Sequence, residues 1–192
     1  MASRPEPDFG RILGALTRAL ESRDLPFMVI GGQAVLVHGQ PRLTLDIDIT
    51  LGVEPDRLET VLEICRELDL EPLPEEVEPF VKETFVLPAL HRETRIRVDF
   101  VFSTTPYERQ AIERAVSIEV GGARVPFATA EDLVLHKLFA GRPRDLEDVL
   151  GIVRRRGKAL DWSYLERWAS EFATVPGREG MVDQISRLRA ED

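Results

Sequence analysis

Three aspartates stand where their side chains could act together. In Leu45-Asp46-Ile47-Asp48-Ile49, acids and apolar residues alternate strictly. Alternate residues of a β-strand share a face, so Asp46 and Asp48 project one way while Leu45, Ile47 and Ile49 are expected in the core. A second run repeats the pattern, with Ile96, Val98, Phe100 and Phe102 on one face and Arg95, Arg97 and Asp99 on the other. If the two strands are neighbours, three carboxylates converge. Acids held close raise one another's pKa unless a cation neutralises them. Mg2+, which takes hard oxygen ligands in octahedral geometry, suits that task. Two such ions ~3.5–4 Å apart align an attacking hydroxyl with a leaving pyrophosphate. The plain alternative is the solvated face of an edge strand, which is the ordinary reading of an isolated Asp-x-Asp.

A glycine pair strengthens the chemical reading. Gly31-Gly32 follows the apolar run Phe27–Ile30 directly and precedes a helical stretch, fourteen residues before Asp46 counted from Gly32. Residues without Cβ admit positive φ and let phosphate oxygens approach the backbone. A following helix start adds oriented N–H groups and a favourable partial charge for an anion. Alone, the pair would be a simple strand-to-helix turn.

The elements that must position these groups can be read from periodicity. Helices are expected over residues 9–21, 33–38, 55–68, 107–115, 129–140, 145–156, 161–172 and 178–189. Strands are expected over 27–30, 43–51, 85–87 and 94–102, with a turn through Ala89–Glu93, and the Pro- and Glu-rich stretch 71–79 reads as a loop. Residues 117–120 and 123–126 flank Gly121-Gly122 as a short hairpin. Thr129 with Asp132 opens the next helix in the manner of a capping box. The order predicts an α+β fold: a small mixed or antiparallel sheet flanked by helices, with a helical C-terminal region. The expected division is a core over 1–128 and a helical region over 129–192 packed on it.

Bulk properties agree with one compact domain, or with one domain and a helical appendage. The chain has 192 residues, 43% hydrophobic and 31% charged, enough for a sizeable core. No apolar run approaches the ~18 residues of a membrane span. The start, MASRPEPDFGR, lacks the basic and apolar regions of a secretory signal. Cys65 is the sole cysteine, which excludes an intrachain disulfide and a cysteine metal site, so a cytoplasmic setting is expected. The net charge of −9 is concentrated: Glu54 to Glu83 holds eleven acids and three bases. Basic groups gather elsewhere, at Arg92, Arg95 and Arg97, at Arg142 and Arg144, and at Arg154, Arg155, Arg156 and Lys158. Segregation of this kind leaves nucleotide or RNA binding open.

Gly31-Gly32-Gln33-Ala34 followed by Arg42-Leu43-Thr44-Leu45-Asp46-Ile47-Asp48, with Asp99 in Arg97-Val98-Asp99-Phe100, resembles the signature of the DNA polymerase beta-like nucleotidyltransferase superfamily. Within it the layout is similar to AbiEii-type minimal nucleotidyltransferases, many of them toxins of toxin–antitoxin pairs. The helix centred on Lys137 and the Arg142-Pro143-Arg144-Asp145 segment are similar to that type as well. The resemblance covers roughly residues 27–150. It implies that Asp46, Asp48 and Asp99 are catalytic and bind two Mg2+ ions, and that Gly31, Gly32 and Gln33 face a nucleoside triphosphate. Gln33 stands where many members carry Ser, so the hydroxyl contact to phosphate is absent or replaced.

Further nucleotide contacts are assigned to Arg42, Lys137, Arg142 and Arg144. Lys137 has an alternative as a solvated helix lysine, and the arginines have one as charge partners of Glu147 and Asp148. Asp145 and Asp148 read as acids favoured at a helix start, with Asp145 also a partner for Lys137. The resemblance implies transfer of a nucleoside monophosphate from the triphosphate to an acceptor, either RNA (a tRNA end) or a protein hydroxyl, with an antitoxin protein as a possible partner. An aminoglycoside-type small-molecule transferase and a catalytically silent module of the same fold are the competing readings.

Overall fold

Seven strands form a single mixed sheet in the order β3-β4-β5-β2-β1-β7-β6, as seen in a computed structural model that describes residues 9–41 and 43–190. By its internal contacts the chain divides into two units. The first takes the described residues up to Gln33 and Thr44–Phe127; the second takes Ala34–Leu43 and the described residues from Ala128 onward.

The first unit holds helix α1 (Phe9–Glu21) and strands β1 (Phe27–Ile30) and β2 (Asp46–Leu51), then α3 (Leu58–Glu67), β3 (Leu70–Pro72) and α4 (Val77–Thr84). Strands β4 (Val86–His91) and β5 (Arg97–Phe102), α5 (Pro106–Arg114), β6 (Val116–Val120) and β7 (Ala123–Phe127) complete it. Helix α2 (Gly31–His38) leaves β1 without an intervening residue and carries the chain from the first unit into the second. Strands β2 and β5 run parallel, as do β1 and β7, while the other neighbours are antiparallel. The mixed sheet expected from the sequence is present.

Period-two alternation builds the core of this unit. Ile47 and Ile49 of β2, and Val98 and Phe100 of β5, are wholly buried, joined by Met28 and Val29 of β1. Helix α1 buries Ile12, Leu13, Leu16 and Leu20, the 3.6-residue stripe that its sequence displays. Each such side chain is worth about 1.5–3 kcal/mol of burial. Gly121 and Gly122 turn the β6–β7 hairpin with φ of 58° and 71°, the left-handed region that a two-residue turn requires.

Several expectations are corrected. Leu45 is 65% exposed and precedes β2, which begins at Asp46. The stretch 71–79 is not a loop: β3 pairs with β4 at the sheet edge, and α4 begins at Val77. Prolines misled there. Pro72 lies on an edge strand, where a missing N–H is harmless, and Pro79 lies in the first turn of α4, where N–H groups lack helical partners anyway. The β4–β5 turn comes later than Ala89, which is buried and paired with Val98. His91 Nδ1 accepts from the Thr94 N–H at 3.2 Å in that turn. Arg95, with φ of 62°, belongs to the same turn and not to the strand's polar face.

The second unit is helical, with α6 (Ala130–Ala140), α7 (Pro143–Arg156), α8 (Trp162–Phe172) and α9 (Met181–Ala190). Thr129 Oγ1 caps α6 by accepting from the Asp132 N–H at 3.1 Å and donates to Asp132 Oδ2 at 2.6 Å. Tyr164 of α8 donates to Asp132 Oδ1 at 2.6 Å, so the fully buried carboxylate is satisfied. Gly141, at φ 68°, ends α6. No helix among the described residues is long and apolar enough to cross a membrane.

Candidate active site

Register decides whether the acids meet. Across the parallel β2–β5 pair, Asp46 lies opposite Arg97 and Asp48 opposite Asp99. Residues so paired project from the same side of a sheet, so Asp46, Asp48, Arg97 and Asp99 occupy one face. Both strands are interior to the sheet, which removes the edge-strand alternative. The aspartates are partly exposed while Ile47, Ile49, Val98 and Phe100 behind them are wholly buried.

Neighbouring groups hold these acids. Thr44 Oγ1 donates to Asp46 Oδ1 at 2.8 Å. Arg97 Nε donates to Asp99 Oδ1 at 2.7 Å. The Arg97 guanidinium is held above its ordinary pKa, first by that hydrogen bond, and then, against some desolvation, by the charges of Asp99, Asp46 and Asp48. Gly31 adopts φ of 63°, and a Cβ there would lie 1.8 Å from Asp48 Oδ2. Only glycine lets the carboxylate approach the turn this closely. Gln33 is buried, and its amide donates to the Asp46 carbonyl at 3.4 Å, tying the turn to the start of β2.

The donor set is all carboxylate oxygen, the chemistry that Mg2+ prefers. Among the described residues, no three His, Cys, Asp or Glu groups are drawn together so as to hold an ion as they stand. Arg97 has taken Asp99. The acids nevertheless share a face beside a glycine turn that Asp48 approaches too closely for any Cβ, and the cation engaging Asp99 is itself 51% exposed. The chemistry of the three acids suits a divalent ion, while the geometry has Arg97 in contact with one of them.

The other candidates lie elsewhere in the chain. Arg42 falls outside the described residues. In the second unit Lys137 is no solvated lysine: it is 7% exposed and bonded to Asp145 Oδ1 at 2.7 Å and Asp148 Oδ2 at 2.9 Å. Asp145, expected as a helix-start acid or a partner of Lys137, is that partner, and Asp148 joins it. Arg142 is exposed, 4.0 Å from Asp145 Oδ2, and Arg144 donates to the Leu43 carbonyl at 3.1 Å. His38 is buried, its Nε2 2.8 Å from the Ala128 carbonyl oxygen, and burial lowers its pKa. His136 is pushed down to about 4 by burial, with Lys137 adding and Asp132 opposing. Arg97 and Thr44 are the site residues to which the sequence reading gave no role, although alternation places Arg97 on the polar side of β5; Thr44 stands just before β2.

Solved structures similar to the chain include an antigenic nucleotidyltransferase-like protein from Paracoccidioides brasiliensis, with 15% identity, TM-score 0.56 and 92% of each chain covered. Another is ANT(2″)-Ia in complex with adenylyl-2″-tobramycin, with 17% identity, TM-score 0.53, and 94% of this chain and 95% of that one covered. A third is the lincosamide antibiotic adenylyltransferase LnuA bound to lincomycin, with 14% identity, TM-score 0.52, and 73% and 94% covered. At these identities the likeness establishes the fold. No curated protein matches the sequence. The family model described as nucleotidyl transferase AbiEii toxin, Type IV TA system, matches residues 12–191. A match over nearly the whole length, on a fold that brings three aspartates to one face, makes the chain a member of the AbiEii nucleotidyltransferase family.

Proposed function

We propose that the chain transfers a nucleoside monophosphate from a nucleoside triphosphate to a hydroxyl acceptor, in a Mg2+-dependent reaction centred on Asp46, Asp48 and Asp99. The observation that supports it is the β2–β5 register, which sets Asp48 beside Asp99 and Asp46 two residues along. Asp46, Asp48 and Asp99 would hold the divalent ions, which when bound neutralise charge on the triphosphate. The Gly31 turn lets the Asp48 carboxylate sit against the backbone, at the start of the helix that would face the triphosphate. Asp99 accepts the acceptor's proton as its oxygen bonds to the α-phosphorus. The bond to the β-phosphate then breaks, and pyrophosphate leaves with the electron pair. Chemistry of this kind asks for positioning and charge neutralisation above all.

For the acceptor we favour RNA, a tRNA end in particular, or a protein hydroxyl, with the chain acting as a toxin checked by an antitoxin protein. The basic run Arg154, Arg155, Arg156 and Lys158 lines one cleft of about 520 Å³ and supports a polyanionic acceptor. A second reading, a small-molecule transferase, is supported by the likeness to ANT(2″)-Ia and LnuA. Incubation with Mg2+, α-labelled nucleotides and either total RNA, total protein or a set of aminoglycosides and lincosamides separates these. Label on RNA or protein is expected; label on a drug supports the second reading. No labelled product and no metal-dependent nucleotide binding would leave a silent module.

A further inference from the structure

The polar face of β2 and β5 carries three acids and one base at the corners of one small patch: Asp46 beside Arg97, and Asp48 beside Asp99. We infer that Arg97 is a placeholder cation, which holds Asp99 while no divalent ion is bound, gives way when one enters, and then turns to the triphosphate. The inference rests on the reading of the three carboxylates as a divalent-ion site.

Three observations carry it. The first is position. Arg97 and Asp99 lie two residues apart on an interior strand, so their 2.7 Å contact is not the incidental decoration of a sheet edge. The second is exposure. The Arg97 side chain is 51% exposed and that of Asp99 18% exposed, so the guanidinium has water to move into, and an entering ion keeps the more enclosed carboxylate compensated. The third is charge. Among the described residues of these two strands, three acids and one base sum to −2, which suits a divalent ion and leaves a triphosphate to be met by further positive charge. A guanidinium released on this face is well shaped to take phosphate oxygens in a forked pair of hydrogen bonds.

The test uses Mn2+ as probe, titrated into the full chain without nucleotide and followed by electron paramagnetic resonance. The proteins are the native chain, Arg97→Gln, Arg97→Lys and the double variant Asp46→Asn/Asp48→Asn. Removing a unit charge about 5 Å from a divalent ion in a water-like dielectric corresponds to about a tenfold change in affinity. Arg97→Gln is therefore expected to bind Mn2+ about tenfold more tightly, with Arg97→Lys close to the native chain. At saturating Mn2+, Arg97→Gln is expected to bind a non-hydrolysable triphosphate several-fold more weakly. A residue that merely braced Asp99 would not shift the two affinities in opposite directions. Equal or weaker Mn2+ binding by Arg97→Gln overturns the placeholder role and leaves the carboxylate reading standing. Failure of the native chain to bind Mn2+ in a way that the double variant abolishes overturns the carboxylate reading, and the inference with it.

Discussion

On the β2–β5 face, Arg97 is bonded to Asp99 and lies in the field of Asp46 and Asp48, and its side chain is 51% exposed. In the second unit, Asp145 and Asp148 share Lys137, whose side chain is 8% exposed. The chemical types are nearly the same, acids in excess around one base, and burial makes the difference between them. A buried cation bonded to two carboxylates is costly to separate, because whatever remains is left charged in a poor solvent. The same groups at a wet surface part at little cost. The sealed cluster ties α6 to α7, while the open one leaves its cation in contact with water.

Substitutions can break that contrast. The largest effect expected is from Asp48→Asn, which should lower nucleotidyl transfer by about 10³-fold, or roughly 4 kcal/mol of transition-state stabilisation. Its unfolding free energy in urea titration should stay within about 0.5 kcal/mol of the native value. A large loss of stability would mean that the open cluster is structural after all. Lys137→Met should instead destabilise by about 3–5 kcal/mol in urea titration of the full chain, since it strands two buried acids. Adding Asp145→Asn and Asp148→Asn should recover part of that loss; a neutral Lys137→Met would dissolve the contrast.

Acid should act on the buried side as well. His136 has a folded pKa of about 4 against 6.5 ordinarily, so between these values the unfolded chain binds the extra proton. Stability present above pH 6.5 is lost as the pH falls toward 4, by about 2 kcal/mol at pH 5. His136→Gln should flatten that slope in a series of urea titrations, and an unchanged slope would assign it to other groups. Last comes Gly31→Ala. Its Cβ would fall 1.8 Å from Asp48 Oδ2 at φ 63°, so about a tenfold drop in transfer is expected from the displaced carboxylate and strained turn. Full activity would show that Asp48 tolerates displacement.

Much of this was legible before any coordinates. Alternation at Asp46–Ile49 and Arg97–Phe102 assigned the polar face because the period of a strand leaves little choice once one side must be apolar. What alternation cannot supply is which strand neighbours which, and the pairing of Asp48 with Asp99 depends on a crossover through α3, β3, α4 and β4. The errors share that origin. Leu45 reads as core by parity, yet β2 begins one residue later and leaves it in water. Lys137 has no local mark of burial, because its partners Asp145 and Asp148 belong to the next helix. Thr129 with Asp132, a purely local device, was readable as it stands.

The strand order carries a consequence for how the protein is made. Strands β3, β4, β5, β2 and β1 are adjacent in the sheet and all lie before residue 103, so the acid-bearing face has every one of its neighbours once Phe102 has left the ribosome. β1 does not, because its second partner is β7, through Val29 and Phe127. Until that strand emerges the nascent sheet ends on an uncovered backbone row flanked by Met28 and Val29, which are wholly buried in the finished fold. An open apolar edge is a template for pairing with other chains, so translation passes through an interval of aggregation risk that closes only when the β6–β7 hairpin arrives.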